Sequence, residues 1–434
     1  MFLAGADCAI SIAVPHFRLR RGARIGLLLS PMLRFTTAGE SHGAALVSIL
    51  EGMPAGVPLL VEEIDAQLTR RQAGYGRGRR MQIETDRVEL LSGVRAGQTL
   101  GSPIAMLIRN HDWRNWQEIM STAPLPGESE DGGVRKRAVT RPRPGHADLA
   151  GMLKYDRADA RDILERASAR ETTARVAAGA VCRAFLAQLD VSLGSHVVEL
   201  GDVTARAPDP LPPDINSVAD QSRLRTLDSD AEARMVALID EAKRSGDTLG
   251  GICEVVVTGL PVGLGSHVSW DRKLDGRLAA ALMSIPAVKG VEIGMGFAAA
   301  RLHGSRVHDE IDPAEDAVTR GRLRRRSNNA GGLEGGMTTG EPLVLRVAMK
   351  PISTLMRPLV SVEMTTREGA ASTVERSDVT AVPAMGVIAE AMAAFVLADA
   401  TLEKFGGDSL GEVARNRAGY LRYLSERDGG GRPE

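Results

Sequence analysis

The sequence predicts an α+β fold built from two related halves, each a sheet with helices. Three observations predict it. Apolar runs of strand length alternate with longer stretches of helical periodicity. The chain has 434 residues, 43% of them hydrophobic, which is enough for a large core. Two stretches also share one spacing: Gly43-AALVSILE-Gly52-Met53-Pro54-Ala55-Gly56 and Gly250-GICEVVVT-Gly259-Leu260-Pro261-Val262-Gly263. Each joins an apolar strand to a helix-bearing segment. Duplication and coincidence between two strand–turn units both account for this. Duplication sets the halves at about 33–190 and 250–405.

The elements follow in order. Ala45–Glu51 and 103–108 read as buried strands, as do 254–258 and Leu343–Met349, the last interrupted by Arg346. Helical spacing covers about 62–71, 157–164, 169–189, 231–244, 271–284 and 384–403. Ser168-x-x-Glu171 and Ser229-x-x-Glu232 have the capping-box pattern at the start of two of them. Pro383 stands where the last long helix begins, its fixed φ already helical. The segments 121–138 and 205–225, rich in Pro, Asp and Ser, read as surface loops.

Composition excludes several functions. With 54 basic and 55 acidic residues, no global field draws the chain to nucleic acid or to a membrane surface. Anion binding must then come from local arginine clusters. Cys8, Cys182 and Cys253 are far apart and lack C-x-x-C spacing, so no disulfide framework or metal site is expected, and a reducing, cytoplasmic location fits. No apolar run reaches the 18 or so residues of a membrane span. Residues 1–31 carry Arg18, Arg20, Arg21 and Arg24 and are read as an N-terminal extension, disordered or not native, with Met32 as the natural start; residues 426–434 are read as a disordered tail. The Arg richness also suits an organelle presequence.

Glycine, at 47 residues, clusters in motifs rather than in a low-complexity tract. Arg70-Arg71-Gln72-Ala73-Gly74-Tyr75-Gly76-Arg77-Gly78-Arg79-Arg80 sets guanidinium groups among glycines, either as an anion-binding loop or as a solvated basic one. His42 and His146 each sit in a rigid turn among small residues, and Asp148 follows His146 by two positions, able to fix an imidazole tautomer or to cap a helix. Arg166, Ala167 and Ser168 precede a helix N-terminus, where free N–H groups suit phosphate. The Gly331–Gly340 stretch runs into a strand ending at Lys350, without a Rossmann or P-loop pattern. Asp378 is an acid or base, or a turn cap.

Together these segments resemble the chorismate synthase family from Met32 to about residue 425, which would be a single domain. The motifs are RFTTAGESHG, RRQAGYGRGRRM, LSGVRAGQTLGSPI, RPGHADLAG, ERASARETTARVAAGA, SIPAVKGVEIGMGF, SNNAGGLEGGMTTGEP, KPIST and ERSDVTAVPAMGV, in the family's order. The resemblance implies a β-α-β sandwich, a homotetramer, and a lyase of the shikimate pathway. That lyase removes phosphate from 5-enolpyruvylshikimate 3-phosphate by 1,4-anti elimination to give chorismate. It needs reduced FMN without net redox change, with NADPH as a reductant in some members. By resemblance, His42 protonates the departing phosphate, His146 stabilises the reduced flavin, and Asp378 is the acidic group that receives a proton. Arg71, Arg77 and Arg80 would hold the substrate's anions, and Arg71 and Arg77 also match positions for NADPH. FMN contacts are implied at Arg166, Ala167, Ser168, Pro286, Ala287, Gly335, Lys350, Pro351, Ile352, Ser353, Thr354 and Arg376.

Some features depart from the family. The extension 1–31 has no counterpart, Pro286 replaces a frequent amide residue, and the 312–326 stretch is unusually basic, bordering the site or a subunit contact. Two rival functions remain at this stage. A flavin oxidoreductase would consume one reductant per turnover. An anion- or RNA-binding module would lose affinity steeply with salt and bind no FMN.

Overall fold

The repeated spacing folds into repeated geometry. A computed structural model describes residues 32–78, 85–123, 138–317, 320–375 and 377–426. The first half opens with β1 (Arg34–Ala38), β2 (Ala45–Glu51), α1 (Val61–Gln72) and β3 (Val88–Leu90). A small hairpin of β4 (Val94–Arg95) and β5 (Gln98–Thr99) leads into β6 (Ile104–Arg109). The helices α2 (Asp148–Tyr155), α3 (Arg161–Ala167) and α4 (Thr172–Ala187) follow. The second half continues with β7 (Ser192–Leu200), β8 (Val203–Thr204), α5 (Ile215–Ala219), α6 (Ser229–Ser245), β9 (Gly251–Thr258), α7 (Leu274–Met283) and β10 (Val288–Ile293). Three hairpin strands come next, β11 (Ile311–Pro313), β12 (Leu323–Arg325) and β13 (Leu333–Glu334), then β14 (Met337–Thr338) and β15 (Leu343–Met349). The chain ends with β16 (Val360–Val362), β17 (Gly369–Ala371), α8 (Val382–Phe405) and α9 (Leu410–Glu426).

The first sheet has the order β1-β2-β6-β3 and the second β10-β15-β9-β7-β8. Read from β7, the second sheet repeats the first strand for strand, antiparallel at each pairing. The turns match as well. Thr99 Oγ1 donates to Pro54 O at 2.6 Å and accepts from Val57 N at 2.9 Å. Thr338 Oγ1 donates to Pro261 O at 2.6 Å and accepts from Leu264 N at 2.8 Å.

Helices fill the space between the sheets. α4 packs on β2, α8 packs on β7, β9 and β15, and the two helices pack on each other. Their closest approach needs Gly179, where a Cβ would lie 2.4 Å from that of Ala391. α8 is long and apolar enough to cross a bilayer, yet 94% of its most apolar window is buried in this core. That burial makes it the central core helix.

Several expected details shift. Ser168 caps a 3₁₀ turn at Ala169–Glu171, accepting from Arg170 N, and α4 itself begins at Thr172. Glu171 turns instead to Thr37 Oγ1 and Arg175, so no capping box closes there. α6 is capped one residue early, by Asp228, which accepts from Asp230 N and Ala231 N. The 205–225 stretch is not only surface loop: α5 lies within it and buries Ile215 with Val256 on the outer face of the second sheet. β1, β7, β10 and α9 form where no element was read, because their apolar positions are short or interrupted. The extension 1–31, most of the 426–434 tail and part of the 121–138 loop lie outside the described residues.

Candidate active site

His42 sits in the turn between β1 and β2. Asn110 Nδ2 donates to Gly43 O at 2.7 Å, and Ser41 N donates to Glu165 O at 2.9 Å, so the turn is held from both sides. Glu165, on α3, takes the histidine twice. Its carboxylate accepts from His42 N at 2.9 Å and lies 2.9 and 3.0 Å from His42 Nδ1. Burial alone would raise the Glu165 carboxyl, but hydrogen bonds and charge from His42, with the charge of Arg161, outweigh it and hold it below the usual range. An ionised carboxylate only accepts, so Nδ1 carries a proton. Trp116 stacks on the imidazole with centroids 3.8 Å apart, and the Arg161 guanidinium lies 5.1 Å from the same indole.

His146 is held by the same device. Its Nδ1 lies 2.5 Å from Asp148 Oδ1, and Asp148 also accepts from Arg143 Nε at 2.8 Å and from Arg143 N at 3.0 Å. Arg143 Nη2 lies 3.1 Å from the imidazole Nδ1 and 3.1 Å from Asp148 Oδ1; both it and the imidazole N–H donate, so they share the carboxylate. Burial pushes Asp148 up, while His146 and Arg143 more than offset it and keep the carboxyl well below its ordinary range. Asp148 therefore orients an imidazole, and being the first residue of α2 it also faces that helix's N-terminus.

One chain of alternating charges joins the two histidine sites. Arg161 donates to Glu165 at 2.8 Å and to Glu375 at 3.1 Å, and the far oxygen of Glu375 lies 3.8 Å from Arg143. Glu375 stands three positions before Asp378. Thr373 N donates to Arg141 O at 3.2 Å, which ties that segment to the His146 turn.

Asp378 faces the basic loop. It accepts from Gly78 N at 2.6 Å and pairs with Arg77 at 3.3 Å. It does not cap α8, whose first turn opens after Ala381. Arg71 is buried and anchors α1 to the start of α4, donating to Thr172 Oγ1 and to Ala169 O. Desolvation lowers Arg71 to about 9 despite Asp86 at 3.7 Å. Asp86 also pairs with Arg170, whose Nε donates to Asn110, the residue that holds the His42 turn. Arg71 is thus linked through Asp86, Arg170 and Asn110 to the His42 turn, and it also feels the charges of Arg77 and Asp378. Arg80 and Arg376 lie outside the described residues.

The residues expected to hold FMN form two groups. Lys350 Nζ donates to Gly145 O at 2.7 Å, Lys350 N donates to Ala287 O at 3.0 Å, and Arg143 donates to Thr354 Oγ1 at 2.8 Å. The Lys350–Thr354 loop, with Pro351, Ile352 and Ser353, and the Pro286–Ala287 turn therefore border the His146 turn. Arg166 spends its guanidinium on Thr37 O and Gly39 O, and Ser168 Oγ lies 3.2 Å from Ser41 Oγ, so Arg166, Ala167 and Ser168 border the His42 turn. Gly335 lies elsewhere, at the tip of the β13–β14 hairpin, where the adjacent Gly336 packs on Lys273 at the start of α7.

Burial and the charge of Lys289 lower the Lys350 amine, and among the described residues neither lysine is paired with a carboxylate. A lysine without a carboxylate partner suits a phosphate. A cavity of about 200 Å³ beside Glu165 is lined by Glu40, Asp159 and Asp162 as well as Arg161. Its size and acidic lining fit neither a flavin nor a phosphate ester.

Sequence reading missed Glu165, Arg161, Trp116, Glu375 and Arg143 as parts of this site. Arg161 and Glu165 stand four apart on one helix, directly before the Arg166–Ser168 motif, and that spacing was the available signal. Each arginine of the basic 312–326 stretch has a carboxylate partner, and Glu334 and Glu341 among these lie beyond it. Arg320 pairs with Glu341, Arg322 with Glu315, Arg324 with Asp316, Arg325 with Glu334, and Arg326 with Glu310 and Asp312.

The comparisons agree with one another. A family model described as chorismate synthase matches residues 33–402. A chorismate synthase of Symbiobacterium thermophilum is 59% identical over 396 residues, covering 91% of this chain and 100% of the relative. One of Thermobifida fusca is 57% identical over 396 residues, covering 91% and 99%. A crystal structure of chorismate synthase superposes with a TM-score of 0.71 at 44% identity, covering 91% of this chain and 98% of that one.

Proposed function

This chain belongs to the chorismate synthase family, and from that premise we propose that it converts 5-enolpyruvylshikimate 3-phosphate to chorismate. It is a chorismate-forming lyase of the shikimate pathway. The elimination breaks a ring carbon–oxygen bond, removes a ring proton and leaves a new carbon–carbon double bond. What carries the reading is the family match across most of the chain, together with two imidazole–carboxylate pairs joined by one polar network.

Reduced FMN is the cofactor we assign. When bound, it would supply transient electron donation to the substrate ring, with no net redox change. Lys350, whose amine donates to Gly145 O beside His146, fits its phosphate, and Gly335, which lies apart from that group, enters the assignment by family resemblance. Arg376 belongs to the same assignment by family resemblance.

Each protein group then has a task. Arg77 and Arg80 draw the substrate's phosphate and carboxylates, and Arg71, buried and paired with Asp86, belongs to the same assignment by family resemblance. His42 gives a proton to the departing phosphate. His146, oriented by Asp148, stabilises negative charge beside the cofactor. Asp378 accepts a proton and is held in place by Arg77 and Gly78. We further assign a homotetramer, supported by Trp270, Phe297 and Val360, which are 85%, 72% and 87% exposed. A cytoplasmic location and external reduction of the flavin complete the proposal, with NADPH as an alternative reductant.

The test is anaerobic turnover with chemically reduced FMN, then with NADPH and oxidised FMN. Many phosphates released per flavin reduced would support the lyase. One reductant consumed per product would overturn it in favour of an oxidoreductase. Product formed with NADPH alone would overturn external reduction.

A further inference from the structure

We propose that Glu165 is the positioning residue of His42, fixing its imidazole so that Nε2 alone is left to protonate the departing phosphate. This rests on the role of His42 proposed above. The observations are geometric. The Glu165 side chain is 1% exposed, so no solvent competes for it. It accepts from the backbone N–H and the Nδ1–H of His42 and from Arg161. Turning the imidazole over would take Nδ1–H away from a buried carboxylate, which is costly. Stacking on Trp116 opposes the same motion.

Glu165 cannot follow a moving histidine, because Arg161, its other partner, is itself pinned by Glu375 at 3.1 Å. The His146 site repeats the design with Asp148 in the place of Glu165 and Arg143 in the place of Arg161. Carboxylates that hold Nδ1–H and leave Nε2 to the reaction are a recurrent solution in histidine acid–base sites. The proton balance is simple. His42 enters with protons on both nitrogens, the Nε2 proton passes to a phosphate oxygen, and the Nδ1–H tautomer that remains is the one Glu165 binds.

The test is a double-mutant cycle. Glu165→Gln keeps the side-chain shape and an oxygen for Arg161. It should lower kcat on the order of 10²-fold while KM for the phosphate ester changes about twofold or less. Glu165→Asp, which restores the charge, should recover part of the loss. In a His42→Ala background, Glu165→Gln should cost nothing further. Losses that multiply in the double variant, or an unchanged kcat in Glu165→Gln, would overturn the positioning role. Full turnover in His42→Ala alone would instead remove the role of His42, and the proposal with it. If Glu165→Gln fails to fold, the same cycle with Glu165→Asp decides.

Discussion

The turns that follow β2 and β9 are built alike, while the turns that lead into these strands do different work. In both halves Gly, Pro and Gly follow the strand at the same offsets, and a threonine, Thr99 on β5 or Thr338 on β14, bridges the proline carbonyl and a backbone N–H three residues on. In the first half the residue before the leading glycine is His42; in the second it is Leu249, whose backbone N–H donates to Val379 O. The shared residues answer to backbone geometry. The chemistry stands where the two halves differ.

The largest expected effect tests that contrast directly. His42→Ala should lower kcat by roughly 10²- to 10⁴-fold with the fold intact. Leu249→Ala should cost about 1–2 kcal/mol of stability and leave kcat nearly unchanged. Steady-state phosphate release and thermal unfolding of both variants decide, and similar activity losses would break the contrast.

The next effect asks whether the shared residues are equally required. A Cβ at Gly52 would lie 1.8 Å from Met32 O, and one at Gly259 would lie 1.9 Å from Asp190 O, with φ of +88° and +82°. Backbone must move in either case. Gly52→Ala and Gly259→Ala should each cost roughly 3 kcal/mol or more, since a left-handed penalty of about 1–2 kcal/mol adds to the clash. Denaturant unfolding measures both, and one tolerant member would show that the turns are not equivalent.

The two central helices offer a third comparison. α4 is apolar through Val176–Cys182, whereas α8 carries Glu390 at its buried middle. Three arginines from different elements, Arg70, Arg183 and Arg225, close on that carboxylate, with Ser195 and Asn216. Burial pushes Glu390 up, but the arginines win and bring it to about 2 from 4.5. A depressed carboxyl stabilises the fold above its unfolded value and loses that contribution as pH falls through the folded one. The gap is worth on the order of 3 kcal/mol. Glu390→Gln should therefore be destabilised by about that much at pH 7. In urea titrations its deficit should shrink from about pH 4.5 downward toward about 2. A deficit that does not change with pH would mean that packing, not charge, is lost.

How far these features were legible differs by kind. The central strands β2, β6, β9 and β15 and the longer helices were readable because their apolar periodicity is local, and the duplicated turn was readable because glycine spacing is dictated by backbone contact. His42, His146 and Asp148 were visible as turn residues. Glu165 was not, since its partner lies 123 positions away and a glutamate on a helix reads as solvated. Glu390 was hidden for the same reason, in the apolar first half of α8. Arg71 was legible as basic, yet the loop reading gave no sign that α1 would bury it. The capping boxes failed because other donors competed for Glu171 and because Asp228, one residue earlier, caps better.

The smallest effect is the most discriminating for the cofactor. The β4–β5 hairpin of the first half turns through Ala96 at φ 50°, and the β13–β14 hairpin of the second turns through Gly335 at φ 58°. Both positions are exposed, and a Cβ at Gly335 would meet nothing within 4 Å. The protein's own packing therefore does not call for glycine there, and Ala96 demonstrates that the same turn accepts a methyl group. If a flavin ring lies against Gly335, the methyl group of Gly335→Ala would occupy that ring's space. The variant should lose only about 1 kcal/mol of stability while its affinity for FMN, read by fluorescence titration in the presence of substrate, falls several-fold. Ala96→Gly should leave affinity unchanged. Equal FMN affinity in Gly335→Ala and the wild type would take Gly335 out of the cofactor site and leave the glycine as a conformational preference that its twin manages without.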